Sequence, residues 1–215
     1  MLEELIFRIM LVVMWLVFAI PRIYYRRKAA RPTGTEEDAK KDHREGFGWV
    51  QILIAISILG MFISIFAYVL MPLGLIWFPL PLPSIIRWGG VVLGFCCIPL
   101  LVWVHRELGR FYAPELAIKR EHEIIMTGPY QYVRHPMYTV FILFTLGILL
   151  VASNFFIAIF ALLIILLLYP NSKQEERMLL NKFGIQYQEY MNRTGRFFPR
   201  ITKPRKLDED ALHAE

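Results

Sequence analysis

The run T-G-P-Y-Q-Y-V-R-H-P-M-Y, Thr127 to Tyr138, puts a turn, three tyrosines, an arginine and a histidine directly before an apolar stretch. Proline lacks a backbone donor and disfavours helix in the residue before it, so Pro136 biases His135 away from helix. The spacing predicts an ordered entry segment carrying Arg134 and His135, with a helix starting at about Met137. A rigid, cationic, aromatic cluster at the mouth of an apolar helix reads as the rim of a site at a membrane surface. Upstream, His122 to Tyr130 reads as a short extended run followed by a Gly-Pro turn. Backbone of that kind can lie along a cofactor and offer it N–H and C=O groups, or it can simply connect.

Two more stretches hold chemistry-bearing residues. His105 opens H-R-E-L-G-R-F-Y-A-P-E-L, where it serves either an interfacial helix end or a site, and Glu115 follows Pro114. Glu175 and Glu176 stand after the last apolar run, in Q-E-E-R-M-L-L-N-K-F-G. On a helix, Glu176 shares a face with Leu179, Leu180 and Phe183, so one acid is expected to point inward. The plainer alternative is that acids favour the first turn of an amphipathic helix. Gly184 is expected to end that helix, and T-G-R-F-F-P then places Arg196 beside aromatics. No dinucleotide fingerprint, phosphate-binding loop, H-E-x-x-H or G-x-S-x-G occurs, so a cofactor must be held by loops and helix ends.

The elements that position these residues are membrane helices. The chain has 215 residues, 56% of them hydrophobic, and a formal net charge of +6. Its mean hydropathy of +0.45 is too high for an ordinary soluble domain. Nucleic acid is not an expected partner; the basic loops face anionic lipid instead. Cys96 and Cys97 are neighbours in an apolar run, so neither a mutual disulfide nor a metal site is expected. The N-terminal run lacks the marks of a cleaved signal and reads as a retained span.

Five apolar segments are expected to cross the membrane: about Leu5 to Ile20, Trp49 to Leu70, Ile85 to Val104, Met137 to Val151 and Phe155 to Tyr169. Arg87 is expected to snorkel toward the interface. The last two segments cover only ~22 Å each as helices and form a tight hairpin. All but two of the 24 basic residues fall in the segments 21–48, 105–136 and 170–215. Five crossings put those three segments on one side, which the positive-inside rule makes cytoplasmic, with the N-terminus outside. The proline-rich loop Met71 to Ser84 is expected to cap the outer interface. Thr33 to Arg44 reads as a flexible loop and 201–215 as a disordered tail. The fold class is therefore an all-α polytopic membrane protein. Residues 1–104 form a three-helix membrane region with the basic loop 21–48. Residues 105–200 form the catalytic region, with cytoplasmic loops and a C-terminal helix shaping a cofactor pocket.

With these motifs in place, the sequence resembles the isoprenylcysteine carboxyl methyltransferase family and its phospholipid methyltransferase relatives from about His105 to Pro199. The resemblance rests on L-G-R-F-Y-A-P-E-L, H-E-I-I-M-T-G-P-Y-Q-Y-V-R-H-P-M-Y, E-E-R-M-L-L-N-K-F-G-I-Q-Y-Q-E-Y and T-G-R-F-F-P, in that order. It implies an integral membrane enzyme that uses S-adenosyl-L-methionine and takes a lipophilic methyl acceptor from the bilayer. Carried over residue by residue, it implies cofactor contacts at Glu115, His122, Glu123, Ile124, Ile125, Tyr130, His135, Pro136, Met137, Tyr138 and Glu175. Arg134 and Arg196 are expected to capture a substrate anion, and Glu176 to act as base or orient the head group. Where the family carries an arginine assigned to substrate, thirteen residues before Gly184, this chain has Asn171. The acceptor is thus left open between a prenylcysteine-type carboxylate and a lipid amine. The expected location is the plasma membrane of a prokaryote, with the site facing the cytoplasm. A nicotinamide-dependent membrane reductase and a non-catalytic scaffold are the alternatives of other classes.

Overall fold

A computed structural model describes residues 2–29, 48–70, 78–108 and 124–200. Glu115, His122, Glu123, the loop 33–44, most of the proline-rich loop and the tail 201–215 lie outside these residues. The described residues form six α-helices: α1 (Leu2–Ala29), α2 (Trp49–Leu70), α3 (Ser84–Leu108), α4 (Pro136–Ala152), α5 (Phe155–Phe183) and α6 (Ile185–Arg193). A 3-10 turn, Gly128–Gln131, precedes α4. Helices α1, α2, α3 and α5 are long and apolar enough to cross a membrane, which makes this an integral membrane protein. The 17 residues of α4 rise only ~25 Å.

Small residues set the helix spacing. Helix α3 packs most closely on α4, where Gly90 and Gly94 face Gly147. A Cβ at Gly90 would lie 2.6 Å from Leu150 Cβ, and one at Gly94 would lie 1.8 Å from Met14 Sδ. Without an apolar solvent to drive association, close backbone approach of this kind is a main source of helix cohesion. On the other side α2 packs on α5, where a Cβ at Gly60 would run into the Phe160 ring. Helix α1 leans on α3 and α4, with Phe18 stacked on Phe144 at 3.6 Å.

The last two apolar segments are joined by Ser153 and Asn154. Ser153 ends α4 in the left-handed region (φ 49°), and its hydroxyl donates to Leu80 O. Asn154 caps α5 by accepting from the amides of Phe156 and Ile157. The sequence places the end of the fifth segment at Tyr169 and a separate helix after it. The structure instead runs α5 unbroken through Pro170 to Phe183. Proline removes only one helical hydrogen bond, and packing on both sides of it keeps the axis continuous. Glu175 and Glu176 therefore ride deep in a 29-residue helix, not in the first turn of a new one.

Arg87 also departs from expectation: it turns into the bundle instead of snorkelling. Its Nη1 lies 2.7 Å from Glu4 Oε2, and its guanidinium donates twice to Val151 O, at 3.0 and 2.9 Å. Tyr68 donates to the other Glu4 oxygen at 2.5 Å. The fixed carboxylate and the free carbonyl at the end of α4 offer more than the interface does. Arg87→Met would leave the Val151 carbonyl without its donor and Glu4 with only Tyr68 and the more distant Arg8, at a cost of about 3 kcal/mol. The apparent thermal midpoint in detergent should fall by about 6–12 °C. Adding Glu4→Gln should recover part of that loss, and an unchanged midpoint in Arg87→Met would refute the staple.

Candidate functional site

At the opposite end of the bundle, three stretches meet beside the start of α4. Gly128 opens the 3-10 turn with φ 57°, where a side chain is strained, and a Cβ there would press on the Glu107 side chain at 2.4 Å, so glycine is favoured. The segment after α6 then runs parallel to residues 132–135. Gly195 N donates to Tyr132 O at 3.2 Å, Arg134 N to Gly195 O at 2.8 Å, and His135 N to Arg196 O at 3.0 Å. Gly195 is again demanded by space, because a Cβ would sit 1.7 Å from Phe198 O. Tyr190 closes the arrangement by donating to Tyr130 O at 2.7 Å. The Y-V-R-H stretch and the T-G-R motif are thus two sides of one short ladder.

That ladder brings two arginines onto one carboxylate. Glu176 is 3% exposed. Arg134 Nε donates to its Oε1 at 2.8 Å, and Arg196 donates to both of its oxygens. Arg134 also donates to the carbonyls of Met191 and Thr194, capping the end of α6. His135, at the N-cap of α4, bridges the two acids. Its Nδ1 is 3.2 Å from Glu175 Oε2. Its Nε2 is 3.3 Å from Glu176 Oε1, an electrostatic contact without hydrogen-bond geometry.

Glu175 differs from its neighbour. Its side chain is 27% exposed and pairs with no arginine among the described residues. Tyr138 donates to it, and Asn171 Nδ2 donates to the Tyr138 hydroxyl at 2.6 Å. Gln51, from the start of α2, donates to Asn171 Oδ1 at 3.0 Å and to Gln174 Oε1 at 3.1 Å. The His135 and Tyr138 rings lie nearly parallel, 5.4 Å apart, with Phe197 edge-on to both. Burial opposes charge on His135, but the Glu175 and Glu176 carboxylates outweigh it and hold its pKa above the ordinary imidazole value.

Of the residues singled out by sequence, Arg134, His135, Tyr138, Glu175, Glu176 and Arg196 come together. Tyr130, Pro136 and Met137 lie beside them, packed into the apolar core. Ile125 joins that core and Ile124 is half-buried. Gln51 and Gln174 were not singled out. Gln51 does carry a signal, as the lone amide in the otherwise apolar opening of α2. Among the described residues no three His, Cys, Asp or Glu side chains are grouped to hold a metal ion.

Residues 91–181 match the model of the isoprenylcysteine carboxyl methyltransferase (ICMT) family, so the resemblance read from the motifs holds over that region. The match spans most of α3, all of α4 and most of α5, with His135, Tyr138 and both acids. The Protein-S-isoprenylcysteine O-methyltransferase of Schizosaccharomyces pombe is 32% identical over 117 residues, 51% of this chain and 48% of that protein. Protein-S-isoprenylcysteine O-methyltransferase B of Arabidopsis thaliana is 34% identical over 88 residues, 40% of this chain and 45% of its own length. The nickel-cobalt-cadmium resistance protein NccN of Alcaligenes xylosoxydans xylosoxydans is 30% identical over 95 residues, 44% and 45% respectively. The chain spans about half the length of these relatives.

The geometry separates the two acids experimentally. Glu176→Gln strands two guanidinium groups and should destabilise the fold by roughly 3–5 kcal/mol, whereas Glu175→Gln should cost about 1 kcal/mol or less. Equal losses in denaturant titrations would contradict this division. His135 adds a pH dependence. Its folded pKa is raised, so its stabilising contribution is complete below the unfolded value of ~6.5 and fades as pH rises through the folded value. The stability gap between wild type and His135→Gln should therefore narrow from pH 6 toward pH 9. A gap that widens with pH would reverse the assignment.

Proposed function

We propose that this protein is an S-adenosyl-L-methionine-dependent methyltransferase that takes a lipophilic acceptor from the bilayer. The observation that carries the reading is the convergence of His135, Tyr138 and Glu175 inside the region shared with the family. These three residues form an aromatic wall and a half-open carboxylate beside a charge cluster that is otherwise internally matched. The cofactor carries an ammonium and a sulfonium, and Glu175 is the carboxylate available to receive a cation there. Once bound, it supplies an electrophilic methyl group. The rest of the work falls to the chain: holding the acceptor in line, excluding water and keeping charges fixed. The relatives that are named as methyltransferases favour this reading over a nicotinamide-dependent reductase.

Within this reading the roles divide differently from the sequence expectation. Both oxygens of Glu176 are taken by guanidinium groups, which leaves it poorly placed to accept a proton. We assign Arg134, Glu176 and Arg196 as positioning residues that lock the ladder, and Glu175, Tyr138 and His135 as the cofactor face. Glu115, His122 and Glu123 lie outside the described residues; we keep them as cofactor contacts on the resemblance alone. We place the acceptor's approach from the bilayer near Asn171, where a neutral amide stands at the position of the family's substrate arginine. We place this end of the bundle in the cytoplasm, on the charge distribution.

Calorimetry with S-adenosylmethionine tests the cofactor face. Glu175→Gln and Tyr138→Phe should each weaken binding by about tenfold or more, the size of one lost charge-assisted hydrogen bond, while the helical content stays unchanged. Incubation with methyl-labelled cofactor and a total lipid extract should then yield a labelled lipid. Full affinity in both variants, or no binding by the wild type, would remove the basis of the reading.

A further inference from the structure

A second recognition surface lies along the last part of α1. Ile20, Ile23, Tyr24, Arg27 and Lys28 follow one another at helical spacing and form a single stripe that lines an open cavity of about 540 Å³. The stripe is ordered by polarity over ~12 Å of helix. Isoleucines come first, then a tyrosine, then two cations at the helix end. A second cavity of about 250 Å³ continues from it, sharing Tyr24 and Lys28 and walled by Tyr25, His105 and Arg106. Tyr25 stacks on His105 at 4.9 Å, which fixes that wall to α3. Among the described residues no acid lines either cavity. Arg27, Lys28 and Arg106 make no hydrogen bond or ion pair with the described residues, and Arg106 is exposed.

Three cations that no described acid matches, beside one concave, partly apolar surface, fit an amphiphile of opposite charge. We infer that this groove is a binding site for an anionic phospholipid, with its phosphate at Arg27, Lys28 and Arg106 and the upper part of its acyl chains along Ile20 and Ile23. Tyr24 stands at the level where the chains meet the head group, the depth at which amphipathic rings settle in bilayers. The order of residues along α1 matches the order of groups along the lipid. None of the lining residues belongs to the cluster around Glu175 and Glu176, so the site is independent of the proposed reaction.

Native mass spectrometry of the detergent-purified protein with phosphatidylglycerol or phosphatidylcholine of identical chains tests this. The wild type should retain one phosphatidylglycerol in preference to phosphatidylcholine. Arg27→Gln with Arg106→Gln should lower that retention by about 25-fold, near fivefold per cation at a membrane surface. Arg177→Gln with Arg193→Gln, two cations on other surfaces of the same end, should leave it unchanged. Helical content and thermal midpoint, read alongside, confirm that each variant is folded. If Arg27→Gln with Arg106→Gln does not fold, Ile23→Asn replaces it and should lower retention of the same lipid. Equal retention of the two lipids by the wild type would overturn the site. So would full retention in Arg27→Gln with Arg106→Gln, or an equal loss in Arg177→Gln with Arg193→Gln, which would mean diffuse attraction to charge.

Discussion

The ion cluster on Glu176 is the contact on which the rest of the site depends. A buried carboxylate is costly unless it is matched and hydrogen-bonded. Here two guanidinium groups and an imidazole edge surround it. The groups come from three stretches: Arg134 and His135 from the entry to α4, Arg196 from the segment after α6, and Glu176 from α5. Satisfying one charge therefore fixes three chain segments relative to one another. The backbone ladder between Gly195 and residues 132–135 then follows, because the two arginines that flank it are already held.

The opposite end of α4 is secured by the same kind of chemistry. Arg87 reaches the Val151 carbonyl while paired to Glu4, and Tyr68 donates to Glu4. Arg8 lies over the Tyr68 ring at 4.9 Å. A 17-residue helix is thus suspended between two polar clusters, with glycine contacts to α3 along its middle. Its short length is no defect in this frame. It sets the distance between the clusters, and with it the depth at which His135 and Tyr138 sit below the bundle end.

Much of this was legible in the sequence, for reasons that differ by residue. Helical period and apolar runs located the helices, because burial and lipid exposure both act on every residue of a span. The entry segment was readable because Pro136 and the Gly-Pro pair restrict the backbone locally. What could not be read was pairing at long range. Nothing near Glu176 in sequence says that Arg134 and Arg196, 42 and 20 residues away, will both take it. Arg87 looked like a snorkelling residue because its partner, Glu4, lies 83 positions earlier. By sequence the fifth segment ends at Tyr169 because the apolar run stops there, although the helix itself continues to Phe183.

The adjacency of Glu175 and Glu176 carries a further consequence. Neighbours on a helix point about 100° apart, so two identical acids enter different surroundings. One faces inward and is saturated by arginine; the other faces the aromatic side and keeps part of its surface open. His135 touches both, which couples the state of the open acid to the cluster that holds the ladder. A cation arriving at Glu175 competes for the charge that His135 now supplies. Its arrival would weaken the proton's hold on the imidazole while leaving both arginines in place. The scaffold acid can thus stay rigid while its neighbour exchanges partners, which is the division a site needs if it must bind a cationic ligand without loosening its own frame.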